Sequence, residues 1–189
     1  MEKFLVEISA RHMHLSKEAV DALFGEGHEL VNKKDLSQPG QYACEEKVIV
    51  RGPRGELKMS VLGPVRKNVQ VEVSLTDART LGVEAMIRES GDIAGTSGIL
   101  LVGPCGEYEI KEGLIAAKRH IHMTTADAER LGVNNGEVVS VAVESADRSL
   151  VFGDTVVRVS DKFALAMHID TDEANAAGIK GSAMGKIIK

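Results

Sequence analysis

The sequence predicts a mainly β protein, built as two similar small β-barrels from an internal duplication and capped by short α-helices. Three observations lead there. Short β-branched segments bounded by glycine or proline recur along all 189 residues, which is the pattern of strands rather than long helices. The stretch "SARHMHLSKEAVDALFG" (9–25) is echoed by "AAKRHIHMTTADAERLG" (116–132). Further along each half, "QVEVSLTDARTLGV" (70–83) runs without gaps against "AMHIDTDEANAAGI" (166–179), a register that sets Glu72 opposite His168.

Taken in order, the strand candidates are "KFLVEISA", "KVIVRG", "LKMSVL", "NVQVEVS", "GILLVG", "EVVSVAV" and "TVVRVS". Each half holds one hydrophobic hairpin, "VIVRGPRGELKMSV" and "VVSVAVESADRSLVFG", and a third, "GILLVGPCGEYEI", lies near the join. The GPRG and GPCG turns put proline where a fixed φ favours a turn and glycine where the chain reverses. Short helices are expected after four strands, with N-caps at Ser16, Thr76, Thr124 and Asp170 and stops at Gly25, Gly82, Gly132 and Gly178. The Gly-rich "RESGDIAGTSG" (88–98) is the expected boundary, giving halves 1–90 and 91–189, with exchange of strands between them left open.

Composition narrows the function classes. A formal charge of −5, 3% aromatic residues and no basic run argue against a nucleic-acid partner. No stretch approaches the roughly 20 apolar residues of a membrane span, and "MEKFLVEISARH" lacks the pattern of a signal peptide. Cys44 and Cys105 lack CxxC spacing, which suits two structural thiols in a reducing cytoplasm.

The histidines carry the chemistry. On a strand, residues i and i+2 share a face, about 6–7 Å apart along the chain. His12 and His14 therefore project together, as do His120 and His122, while Arg11 and Met13 face the other way. Two imidazoles so placed can grip one divalent cation. A single HxH pair is weak support, but five of the six histidines occupy repeat-matched positions. Each half thus supplies a triplet in the same order: His12, His14, Glu72 and His120, His122, His168. Three protein ligands with an open position is the pattern of a catalytic metal. The alternative is strand histidines satisfied by backbone carbonyls. His28 has no counterpart and reads as a solvent-facing loop residue. Each ligand strand leads into a helix N-terminus, which favours anions, and Arg66, six residues before Glu72, is suited to clamp a phosphate or carboxylate.

The set "SARHMHLS", "GPVRKNVQVEVS", "AKRHIHM" and "ALAMHIDTDEAN", in that order, closely resembles the PduL-type phosphotransacylases, also called phosphate propanoyltransferases. The resemblance covers nearly the whole chain. It implies tandem β-barrels with helical caps and reversible conversion of a short-chain acyl-CoA (propanoyl-CoA or acetyl-CoA) and inorganic phosphate into acyl phosphate and CoA. It also implies two divalent metals between the barrels, Zn2+ or alternatively Co2+. The first would sit on His12, His14 and Glu72, the second on His120, His122 and His168. Arg66 matches the phosphate-contacting arginine, and Ser9, Asn175, Lys34 and Leu62 fall near CoA. The expected assembly is a homodimer. Because Phe4 to Ile8 already reads as a barrel strand, no N-terminal encapsulation extension is expected, so a free bacterial cytoplasmic enzyme is favoured over a microcompartment lumen.

Inorganic phosphate is anionic at neutral pH and can attack a thioester without a protein nucleophile. The sequence agrees, having no GxSxG elbow. Two rivals remain at this stage: a dinuclear metallohydrolase acting on a thioester or phosphoester, and a non-catalytic metal-binding barrel.

Overall fold

The computed structural model describes residues 2–188. In chain order the first elements are β1 (Phe4–Ile8), β2 (His12–His14), α1 (Lys17–Phe24), β3 (Asn32–Asp35), β4 (Tyr42–Arg51) and β5 (Glu56–Gly63). They are followed by β6 (Gln70–Glu72), α2 (Leu75–Leu81), β7 (Met86–Arg88), β8 (Ser97–Val102) and β9 (Glu107–Ala117). The remainder comprises β10 (His120–Met123), α3 (Thr125–Leu131), β11 (Val138–Val143), β12 (Leu150–Val159), β13 (Ala166–Ile169), α4 (Thr171–Ala176) and β14 (Ser182–Ile188). The protein is mainly β, with two closed six-stranded barrels and four short helices among the described residues. None of these helices is long and apolar enough to cross a membrane.

Contacts divide the chain into two compact units. Among the described residues, one comprises 2–9, Ser37–Pro39 and 118–188, and the other Ala10–Leu36 and Gly40–Ala117. In the first, the barrel order is β1-β13-β10-β12-β11-β14. In the second, β4, β5, β2, β6, β9 and β8 close the ring, because β8 pairs both β4 and β9. The same pairing pattern recurs in both. β2 runs parallel to β5 and antiparallel to β6, as β10 does to β12 and β13. Residue by residue the registers agree: His12 faces Glu72 across the ladder, and His120 faces His168.

The repeats trade their first strands. β1 pairs β13 in parallel, with Glu7 against His168, and β14 antiparallel. Its counterpart β9 pairs β6 in parallel, with Ile115 against Glu72, and β8 antiparallel. The Gly-rich stretch 88–98, expected to part the halves at 90/91, lies instead inside the second unit. The reason is local: Gly113 N–H donates to Thr96 Oγ1 at 2.9 Å, Gly91 N–H to the Gln70 amide oxygen at 2.8 Å, and Ser97 opens a strand paired with β9.

Each unit has its own aliphatic core. Met13, Leu15, Val61, Val71, Leu101 and Leu114 are fully buried in one, and Val6, Ile121, Met123, Val157 and Met167 in the other. Met13 and Ile121 are the middle residues of the two HxH strands, so burying them turns the flanking histidines away from the core. The helices begin where polar caps meet orphan backbone donors. Ser16, Thr124 and Asp170 cap as expected. The cap of α2 is Ser74 rather than Thr76, because Ser74 Oγ accepts from Asp77 N–H while Asp77 reaches back to the Ser74 backbone. Gly25, Gly82 and Gly132 end α1, α2 and α3, whereas α4 closes on Ala177, with left-handed Gly178 just beyond. The expectation missed β3, β7 and β14: the first is wholly exposed and polar, the second only 3 residues long, and the third carries a glycine in its apolar run.

Replacing Ile121 by alanine removes a fully buried side chain from β10. The variant should lose about 2–5 kcal/mol of stability in a denaturant titration. A loss under about 0.5 kcal/mol would contradict the packing described here.

Candidate metal centres

Pairing between β2 and β6 sets His12 against Glu72 and His14 against Gln70 on one face of the ladder. Ligand atoms of His12, His14 and Glu72 all lie within 4.8 Å of one another, and all three residues are buried. His12 Nε2 stands 3.5 Å from Glu72 Oε2. That is close to the edge of a tetrahedron with metal–ligand bonds near 2.0–2.1 Å, about 3.3–3.4 Å. The ring orientation follows from the other nitrogens. His12 Nδ1 donates to the Ala10 carbonyl at 2.9 Å and His14 Nδ1 to the Leu62 carbonyl at 3.3 Å. A carbonyl only accepts, so both rings turn Nε2 inward, the arrangement that fixes a histidine ligand.

The charges at the cluster pull apart. Burial pushes the His12 imidazole down, but the Glu72 carboxylate, by charge and hydrogen bond, carries its net pKa above the ordinary value. His14 is lowered to about 3 by burial, with His12 and the Arg66 guanidinium adding repulsion. At neutral pH His14 is therefore a neutral ring whose Nε2 carries no proton, as a metal ligand must be. Arg66 lies in the loop between β5 and β6, held by its backbone N–H, which donates to the Leu15 carbonyl at 2.8 Å.

In the other unit, the imidazoles of His120, His122 and His168 cluster. Their ring centroids are 4.6 Å (120 to 122), 5.3 Å (120 to 168) and 5.1 Å (122 to 168) apart. His120 Nδ1 donates to the Lys118 carbonyl at 2.8 Å, repeating the His12 arrangement. Phe163 packs on His122 at 4.3 Å. Three imidazoles on neighbouring strands are a donor set suited to Zn2+ or another first-row cation.

The arginine beside each histidine pair acts as a fastener. Arg11 Nη1 reaches Asp77 Oδ1 at 2.6 Å, and Arg119 Nη1 reaches Glu173 Oε1 at 3.1 Å. Both acids are the third residue of the helix that follows the strand carrying the triplet's last ligand. Each pair therefore ties the HxH strand to that helix. Arg119 also lies over the Phe152 ring, 5.7 Å from its centroid.

The remaining sequence candidates divide between the units. Ser9 and Asn175 belong to one, Lys34 and Leu62 to the other, so neither unit by itself assembles all four. Ser9 N–H bonds the Ile169 carbonyl at 2.8 Å, and Asn175 is exposed on α4. Lys34 is exposed on β3, while the Leu62 carbonyl serves the His14 ring. His28 lies in a loop, as expected, but is half-buried rather than simply solvent-facing. Its Nε2 lies 2.7 Å from buried Glu46 Oε1, and its ring stacks on Phe24. Cys44 is buried, and burial pushes its thiol up to about 11, so it carries no nucleophilic thiolate at neutral pH. Cys105 is exposed rather than part of a core. Sequence reasoning missed Gln70 and Ser90, both bonded beside Glu72. Gln70 was detectable from its i, i+2 spacing to that ligand, whereas Ser90 carried no signal.

Comparison with known proteins identifies the family. A sequence model of the phosphate propanoyltransferase family matches residues 5–180. The phosphate propanoyltransferase of Listeria monocytogenes is 55% identical over 185 residues, covering 97% of this chain and 86% of that protein. Those of Thermotoga maritima and Salmonella typhimurium are each 54% identical, covering 92% and 90% of this chain and 83% and 81% of theirs. With a family model matching residues 5–180 and relatives above half identity over nearly the whole chain, the chain belongs to the phosphate propanoyltransferase family and is an acyltransferase enzyme.

Proposed function

We propose that the chain converts a short-chain acyl-CoA and inorganic phosphate reversibly into acyl phosphate and CoA, with one divalent cation held by each triplet. The observation that carries this reading is the convergence of His12, His14 and Glu72 beside Arg66 in a chain of this family. Zinc is the favoured ion, and cobalt suits the same donors. When bound, such cations supply positive charge that stabilises a departing thiolate and screens phosphate.

The protein's own groups then do the following. Arg66 presents a planar fork that fits two phosphate oxygens and holds them in orientation. A phosphate oxygen forms the new bond to the thioester carbonyl carbon. The carbon–sulfur bond breaks, and its electron pair leaves on the CoA sulfur. A thiol has a reference pKa of about 8.5, so electrostatic stabilisation near neutrality lets the thiolate depart without a general acid. Ser9, Lys34, Leu62 and Asn175 are the residues proposed to contact CoA. No cysteine nucleophile is required, in keeping with the raised pKa of Cys44.

Propanoyl-CoA supplied with and without phosphate tests the reaction. CoA release should depend on phosphate, and release at the same rate without it would replace acyl transfer by hydrolysis. Arg66→Ala should lower kcat/KM for phosphate by about 10²- to 10³-fold while the cation content of the purified protein stays the same. Near-normal turnover in that variant would remove Arg66 from the mechanism. Elemental analysis should find two equivalents of cation per chain, and His12→Ala and His120→Ala should each lose one.

The lowered pKa of His14 also predicts a pH effect in the metal-free protein. From its ordinary value of 6.5 down to about 3, the unfolded chain binds a proton at His14 that the folded chain refuses. Stability therefore falls as pH falls through that window, by up to about 1.4 kcal/mol per pH unit from this group. His12 has the opposite sign: its contribution is present below 6.5 and lost as pH rises through its raised value. His14→Gln should flatten the acid limb of a stability–pH curve measured after chelation, and an unchanged slope would contradict the assignment.

A further inference from the structure

We infer that Gln70 is a positioning residue for the metal centre: it fixes Glu72 as a one-oxygen ligand and ties that ligand to the turn at Ser90–Gly91 beside Arg66. The inference rests on the reading of His12, His14 and Glu72 as a cation site.

The geometry starts from the strand. Gln70 and Glu72 share a face of β6, and Gln70 is 3% exposed. Its amide orientation is fixed by its neighbours. Gly91 N–H, 2.8 Å from Gln70 Oε1, can only donate, so the carbonyl end of the side chain must face the turn. The NH2 end then donates to Glu72 Oε1 at 2.6 Å and to Ser90 Oγ at 2.8 Å. Reversing the amide would leave two donors facing each other at Gly91.

This arrangement separates the two oxygens of Glu72. Oε1 is occupied by the Gln70 amide, and Oε2 is the one that stands 3.5 Å from His12 Nε2. A carboxylate anchored at one oxygen offers the other to a cation at a defined distance, which favours monodentate ligation and costs the ion less reorganisation on binding. The same hydroxyl of Ser90 lies 3.5 Å from Arg66 Nη1, the long end of hydrogen-bond distance. Through Ser90, the ligand carboxylate and the proposed phosphate-binding guanidinium therefore share one support. The matching slot of the other repeat is Ala166, opposite His122 across its ladder. There the third ligand is His168, an imidazole that needs no choice between two oxygens, so the amide belongs to the carboxylate site alone.

Cobalt binding to full-length protein tests this apart from turnover. A His120→Ala/His122→Ala background leaves the His12 cluster as the reporting site, read by the ligand-field spectrum and affinity of Co2+. Gln70→Met, of similar size but without hydrogen bonds, should weaken Co2+ affinity about 10- to 100-fold and shift the spectrum. Ser90→Ala, which keeps the Gln70–Glu72 bond, should weaken it only a few-fold and serves if Gln70→Met does not fold. If Glu72→Ala loses affinity while Gln70→Met, or failing that Ser90→Ala, keeps wild-type affinity and spectrum, the positioning role is overturned and the metal site stands. If His12→Ala in the same background binds Co2+ as well as its parent, the cation reading itself fails, and the inference fails with it. A drop in melting temperature with unchanged cobalt binding would mean that Gln70 only packs, which also overturns it.

Discussion

The antiparallel pairing of a histidine strand with the strand carrying a third donor is the constraint from which the site follows. Register in a sheet is all-or-nothing: a slip by one residue would send Met13 or Ile121 out of its core and the imidazoles into it. Burial of those two residues therefore enforces the direction of four histidines at once. Aliphatic packing, which is non-directional, helps hold the candidate donors in place and is converted into direction by the two-residue period of a strand. The arginine salt bridges to α2 and α4 then fix the strand ends against the helices.

Within this frame the two triplets are related but not equivalent. One holds a carboxylate and an adjacent guanidinium; the other holds three imidazoles with an aromatic ring on His122. The negative charge of Glu72 raises the pKa of His12, while burial, with repulsion from His12 and Arg66, keeps His14 neutral far below pH 7. A carboxylate-bearing site reduces the net charge of a bound divalent ion, and an all-imidazole site leaves it intact. The two halves share the geometry, and the different residues at matched positions, Glu72 against His168, make the electrostatics differ.

Much of this was legible in the sequence because it depended on spacing. HxH pairs, the gap-free match of 70–83 with 166–179, and the cap residues Ser16, Thr124 and Asp170 are local patterns that survive folding unchanged. What escaped was set by partners distant in the chain. The Gly-rich stretch 88–98 has the composition of a linker, yet Thr96 and Gly91 are bonded to residues of β9 and β6, so it belongs inside a unit. His28 has no repeat partner, and only the fold brings buried Glu46 to it. Thr76 and Ser74 are both competent caps by type, and the reciprocal bond with Asp77 decides between them. β3 and β7 lack the apolar alternation that marks a strand and exist through pairing with β4 and β9.

The exchange of first strands has a further consequence for how the molecule can be divided. Each ring is completed by a strand encoded in the other repeat: β1 fills a place among β13 and β14, and β9 fills the equivalent place between β6 and β8. A polypeptide severed at the GPCG turn would leave both pieces with a gap in the ring and raw hydrogen-bonding edges on either side of it. Covalent continuity through that turn is thus part of what closes each ring, because each repeat lends its first strand to the ring of the other.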